Sequence, residues 1–245
     1  MKNPWKELLN KVNEKYLSND KQYIIQDDLK VIKKFNSSFR TEKSKEDYKI
    51  HYDIHPSHYT GNLKKAKVIL LATNPGYVES EKETLYKLPA FHKEMIENLD
   101  FKTKTFINLD EKRIEQGNYW KLKTEKLRNE IGNDNKVYEK IALIQFFPYH
   151  STKFRKIAKK YFKNGEEYLK TQKFAFELIK LAIKENKIII ILRSKTEWNK
   201  AVPELLEHKR KGRVFETKNY RQPYITQNNL SGKDDFKILI ETLKK

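Results

Sequence analysis

Cysteine is missing from the 245 residues, so disulfides, thiolate metal sites and cysteine nucleophiles are excluded. Glycine is sparse, seven in all, with none before Gly61 and no G-x-G. That removes the glycine-rich phosphate cradle of a dinucleotide site. Long apolar stretches are absent too. Runs such as Ile188 to Leu192 fall far short of the ~20 residues a membrane helix needs, and no charged leader precedes an apolar stretch at the N-terminus. The expectation is a cytoplasmic protein with no membrane partner. Acidic residues are in the minority, 33 Asp+Glu against 52 Lys+Arg, for a formal charge of +19 and a pI of about 9.7. Such an excess attracts a polyanion, because cations along a phosphate backbone release counterions on binding. The blander alternative is an AT-rich coding bias that scatters lysines over a solvated surface. Aromatic residues make up 12% of the chain, 14 of them Tyr, and supply flat faces on which bases stack, although most serve the core.

The length suits one domain, 1–245, with its own core and monomeric, and neither a repeat nor a low-complexity linker divides it. Pro4 followed by Trp5, Leu8, Leu9, Val12, Tyr16 and Leu17 predicts an amphipathic helix broken at Ser18-Asn19-Asp20. A second helix is expected over 21–35 and a charged loop over 36–46, so that 1–46 forms an N-terminal helical arm; 51–62 reads as irregular. Apolar runs at 68–73, 141–146 and 187–193 read as buried parallel strands. Helical patterns fall at 119–130, 166–185 and 195–207. A short strand at 213–216 and a helix at 233–244 complete an alternating α/β pattern. The segment 78–140 is too long for one crossover and reads as an inserted, lid-like element, one of its helices opened by Gly117-Asn118-Tyr119-Trp120.

The run Val68-Ile69-Leu70-Leu71-Ala72-Thr73 stops at Asn74-Pro75-Gly76-Tyr77. Ligands of open α/β sheets collect at the carboxyl ends of parallel strands. Pro75 fixes its own φ and Gly76 allows close approach, so the turn can hold the Asn74 amide rigidly; the bland alternative is a strand-ending turn and nothing more. The second strand ends in Gln145-Phe146-Phe147-Pro148-Tyr149-His150-Ser151, the third in Arg193-Ser194-Lys195. Beyond the fourth lies Asn219-Tyr220-Arg221-Gln222-Pro223-Tyr224, followed by Asn228-Asn229. One edge of a parallel sheet brings four such clusters to one cleft. A buried amide presents one acceptor and two donors, enough to read a base edge, and an aromatic face adds ~1–3 kcal/mol of stacking. Tyr77, Phe91, Phe146 and Phe147 are candidates for that face. His51, Asp53, His55 and His58 have tempting metal spacing, but Pro56 breaks any helix that would align them, and no metal is expected. Asn-Pro-Gly-Tyr is also similar to the Asn-Pro-Pro-Tyr turn of amino-methyltransferases, which need a glycine-rich cofactor loop that this chain lacks.

In motif order the chain resembles the uracil-DNA glycosylase superfamily, its mismatch-specific and single-strand-selective branches in particular. The shared features are a strand ending in Asn-Pro-Gly, a middle strand ending in an amide residue before a proline, and a late loop in which Gln222-Pro223-Tyr224 stands where those branches have His-Pro-Ser or Asn-Pro-Ser. They are scattered over roughly residues 55–230. The resemblance implies a three-layer α/β sandwich around a four-stranded parallel sheet, with the 68 strand between the 141 and 188 strands. It implies no cofactor, and hydrolysis of the N-glycosidic bond of a damaged or modified base flipped out of DNA, single- or double-stranded. Asn74 would position the water and Gln222 would contact the leaving base, by hydrogen bond only, since an amide cannot become a cation. Gly76, Tyr77, Gln145, Phe147, His150, Asn228 and Asn229 would bind the substrate, and Arg193, Lys195 and Arg221 the DNA phosphates. The competing expectation is a non-catalytic nucleic-acid-binding protein that keeps the fold.

Overall fold

A computed structural model describes residues 2–14, 22–83, 88–106 and 118–245. The sequence readings at Tyr16, Leu17, 18–20 and Gly117 lie outside the described residues. Five strands form one sheet: β1 (Tyr59–Thr60), β2 (Val68–Ala72), β3 (Ile141–Gln145), β4 (Ile188–Ile191) and β5 (Val214–Glu216), in the order β1-β3-β2-β4-β5. Every residue of β2, β3 and β4 is buried, as strands covered on both faces must be. β4 runs parallel to β2, pairing Ile188 with Val68, and parallel to β5, pairing Ile189 with Val214. The 68 strand does lie between the 141 and 188 strands.

The sheet is nevertheless mixed and five-stranded, because β1 adds an antiparallel edge, Tyr59 opposite Ile144 and Thr60 opposite Leu143. Two residues are too few to show a period in the sequence. Gly61 makes the edge possible: it turns at φ +88, and a Cβ there would stand 2.9 Å from the Ile141 carbonyl oxygen.

The chain condenses into two compact units. The first comprises Met1–His58, Thr73–Asp100 and Gln145–Glu177. It holds helices α1 (Lys6–Glu14), α2 (Gln26–Asn36), α3 (Glu42–Tyr48), α4 (Glu79–Glu83) and α5 (Pro89–Leu99), and the start of α8 (Lys170–Lys184). The expected loop at 36–46 gives way to α3, whose N-cap Thr41 accepts a hydrogen bond from the Ser44 amide at 3.2 Å; this local cap outweighs the charged composition. Trp5 and Tyr149 pack edge to face in this unit, ring centroids 6.0 Å apart.

The second unit comprises Tyr59–Ala72, Phe101–Ile144 and Leu178–Lys245. It carries the sheet with α6 (Asn118–Ile131), α7 (Asp134–Lys140), α9 (Lys195–Ala201), α10 (Glu204–Arg210) and α11 (Asp235–Lys244). Alternate strand residues Val68, Leu70, Ile141, Leu143, Ile188, Ile190 and Phe215 share one core with Trp120, Leu127, Val137 and Leu239, since successive side chains of a pleated strand point to opposite faces of the sheet. The helix expected over 195–207 is two helices, because Pro203 offers no N–H to continue the first and caps the second. The segment 78–140 is not one body: α4 and α5 belong to the first unit, α6 and α7 to the second. No helix among the described residues is long and apolar enough to cross a membrane.

Candidate functional site

The turn after β2 is held from three sides within the first unit. Thr73 O accepts from the Phe147 amide at 2.8 Å, and Pro75 O accepts from the Ser151 amide at 3.4 Å. The Asn74 side chain is half-buried. Its Nδ2 reaches Pro75 O at 2.9 Å, Ser151 Oγ at 3.0 Å and Ser151 O at 3.2 Å. Two of these acceptors are carbonyls, which fixes which end of the amide is nitrogen. Three acceptors compete for two N–H bonds, so the donors are fully spent and Oδ1, with no donor from the described residues, is left as a fixed acceptor.

Beside this turn the stretch 51–58 runs against 145–151. His51 N donates to His150 O, Ser57 N to Pro148 O and Gln145 N to His58 O, at 2.8, 2.9 and 2.8 Å. His150 is buried, with Nδ1 at 2.7 Å from Gly76 O and Nε2 at 3.0 Å from His55 O. Burial pushes its pKa down to about 4 against the pull of both carbonyls. A neutral ring carries one N–H and so donates to only one of the two carbonyls, while both of its nitrogens are turned to the backbone. Tyr77 lies face to face on His51, centroids 3.4 Å apart and planes 9° from parallel, so one face of the expected stacking ring is already covered. Hydrogen bonding from His51, with Lys82 at 2.6 Å, holds the Asp53 carboxyl well below its usual range.

Gln145 is 4% exposed, and its Oε1 is buried with no hydrogen-bond partner among the described residues. Native interiors rarely leave such an acceptor unsatisfied, at a cost of about 1–3 kcal/mol. Phe147 is buried and packs against Tyr149 and Phe154. It lines a small cleft with Phe146, Lys156, Ile157, Glu167, Tyr168 and Gln172 that takes in neither Asn74 nor Gln145. Phe91 is buried in α5.

The remaining candidates belong to the second unit. Arg193 donates from Nε to Tyr220 O at 3.0 Å and from Nη2 to Arg221 O at 3.1 Å, so most of its fork serves the chain. Lys195 pairs with Glu216 at 2.7 Å, as does Lys209 at 2.8 Å. Gln222, Asn228 and Arg221 are exposed. Asn229 is a structural hub: Nδ2 donates to Gln222 O at 3.2 Å and Tyr224 O at 2.8 Å, and Oδ1 accepts from the Asn219 amide at 2.9 Å. A larger cavity of about 400 Å³ in this unit is lined by Ile69, Phe101, Ile144, Leu178 and Leu181 among others and includes none of the expected site residues.

Sequence reasoning missed Ser151 and His51 as partners of the turn. Ser151 was within reach as a hydroxyl closing the second strand-end cluster; His51 carried no signal beyond its metal-like spacing. Among the described residues no group of three or more His, Cys, Asp or Glu is arranged to hold a metal. Comparisons with protein-family models, with curated proteins and with solved structures give no match.

Proposed function

We propose that the protein is a DNA N-glycosylase with a uracil-DNA-glycosylase-like, three-layer arrangement, hydrolysing the N-glycosidic bond of a damaged or modified base flipped out of DNA. What carries this function is the Asn74 amide, donors spent on Ser151 and Pro75 and acceptor held in a fixed direction. An acceptor fixed in that way accepts a hydrogen bond from a water molecule and aims the water's lone pair at the sugar C1′; the C1′–N bond breaks with its electrons on the departing base, the water oxygen bonds to C1′, and the proton it sheds passes to solvent or to the departed base anion. Gln145, whose Oε1 has no hydrogen-bond partner among the described residues, reads the edge of the base. His150 is a positioning residue that braces Gly76. Gln222, Asn228 and Asn229 lie in the second unit. A second function, nucleic-acid binding without hydrolysis, is favoured by His150 being buried and neutral, with both ring nitrogens turned to backbone carbonyls, which leaves it no spare proton to give a leaving base.

Oligonucleotides bearing uracil, hypoxanthine, xanthine and modified cytosines, scored for abasic-site cleavage, separate the two. Hydrolysis of at least one substrate, slowed roughly 10²-fold or more in Asn74→Ala as for loss of one preorganised polar group, with DNA affinity unchanged, is the expected result. Binding without abasic sites on any substrate selects the second function. Base release indifferent to Asn74→Ala removes the water-positioning role.

A further inference from the structure

In the second unit an exposed aromatic ring sits on a loop whose backbone is tied by several side-chain hydrogen bonds. Tyr220 is 61% exposed, yet its carbonyl and that of Arg221 are bound by the Arg193 guanidinium. Asn219 Oδ1 accepts from the amides of Arg221 and Gln222 at 3.1 and 3.2 Å, and Asn229 ties down Asn219, Gln222 and Tyr224. A ring displayed on so determined a loop has paid its ordering entropy before any partner arrives. The Arg221 guanidinium stands 5.9 Å from the centre of that ring. Alongside, Lys123 Nζ lies 3.6 Å from the centre of the Tyr224 ring and 5.1 Å from that of Tyr119. Tyr119 is itself 42% exposed and within the electrostatic reach of Arg193. Glu216 in β5 is already paired with Lys195 and Lys209.

We infer that the surface formed by the exposed Tyr220, Arg221 and Tyr119, backed by the half-buried Tyr224 ring and the buried Lys123 packed against it, is a stacking platform for single-stranded nucleic acid. Bases lie on the Tyr220 and Tyr119 rings while the phosphates pass Arg221 and the exposed Lys218. Interleaved rings and cations match a chain that alternates flat bases with anions. A duplex hides its base faces by stacking and offers this surface only phosphates. The platform stands whether or not the first unit hydrolyses a glycosidic bond.

The test is an anisotropy titration of the full chain with labelled oligothymidylate and with a duplex of equal length, neither carrying a modified base, so that glycosylase activity does not enter. The single strand should bind more tightly. Tyr220→Ala should weaken single-strand binding about tenfold, with the salt slope unchanged and the melting temperature as in the parent protein, while Tyr220→Trp retains binding. Equal single-strand affinity in Tyr220→Ala would overturn the platform. So would displacement of the oligonucleotide by polyglutamate as readily as by unlabelled oligothymidylate, which would make the surface a site for acidic protein.

Discussion

Gln145 and Asn74 are both strand-end amides, and their surroundings give them opposite characters. Asn74 has more acceptors than it has protons to give; the Gln145 acceptor has no donor among the described residues. A buried acceptor left unsatisfied lowers stability, and sites that keep one do so at the expense of the fold. Gln145→Met, of similar volume and without the orphaned oxygen, is therefore expected to stabilise the protein by about 1 kcal/mol in urea denaturation. On the proposed glycosylase function, the same change should abolish base selection in the abasic-site assay. A destabilised Gln145→Met protein would mean that the amide is satisfied in solution and is not waiting for a ligand. The sequence made both amides visible, since each follows an apolar run. It could not show the Asn74 clamp, because that clamp is built largely from backbone carbonyls, which every residue carries.

Among the elements, α2 and α8 are joined by one carboxylate. Asp28 in α2 accepts from the Lys170 amide at 3.0 Å, from Thr171 Oγ1 at 2.6 Å and from the Tyr149 hydroxyl at 2.9 Å, so it caps the first turn of α8 from another helix. Burial pushes its pKa from 3.8 up to about 6, against these donors. The folded state thus holds the proton more tightly than the unfolded chain does; this contribution to stability is full below 3.8 and is lost as pH rises through about 6. His58, whose Nδ1 accepts from Trp5 Nε1 at 3.0 Å, and His150 behave in the opposite sense. Burial lowers them from 6.5 to about 3 and about 4, so their contribution is present above 6.5 and is lost on acidification. Between pH 6 and 4 the carboxyl offsets part of the histidine loss. Asp28→Asn should make the urea midpoint fall more steeply with acid over that interval than it does in the parent protein; parallel curves would show that Asp28 keeps an ordinary pKa. The main strands were legible because β2, β3 and β4 are apolar throughout, and so was the 119–130 helix. The Asp28 cap was not, since its partners lie far along the chain. Nor was β1, whose two residues need the close approach at Gly61.

At the scale of the whole molecule, the charge of +19 was legible at once and its arrangement was not. Many lysines already have acidic partners, among them Lys6 with Asp100, Lys153 with Asp47 and Lys170 with Asp27, and exposed pairs of this kind add little stability. The remaining cations should still give binding to duplex DNA without sequence preference that weakens steeply with salt, by about 0.9 in the log-log slope for each phosphate neutralised. A titration showing no binding at low salt would reduce the charge to a matter of solubility. The interleaving of the two units along the chain bears on biosynthesis. The segments of the first unit are complete once Glu177 has been made, whereas the second needs Leu178–Lys245. β2 therefore leaves the ribosome long before its partner β4, and at roughly 5–20 residues per second its Val-Ile-Leu-Leu-Ala edge waits several seconds for it. Newly made chains should depend on a holding chaperone until β4 emerges.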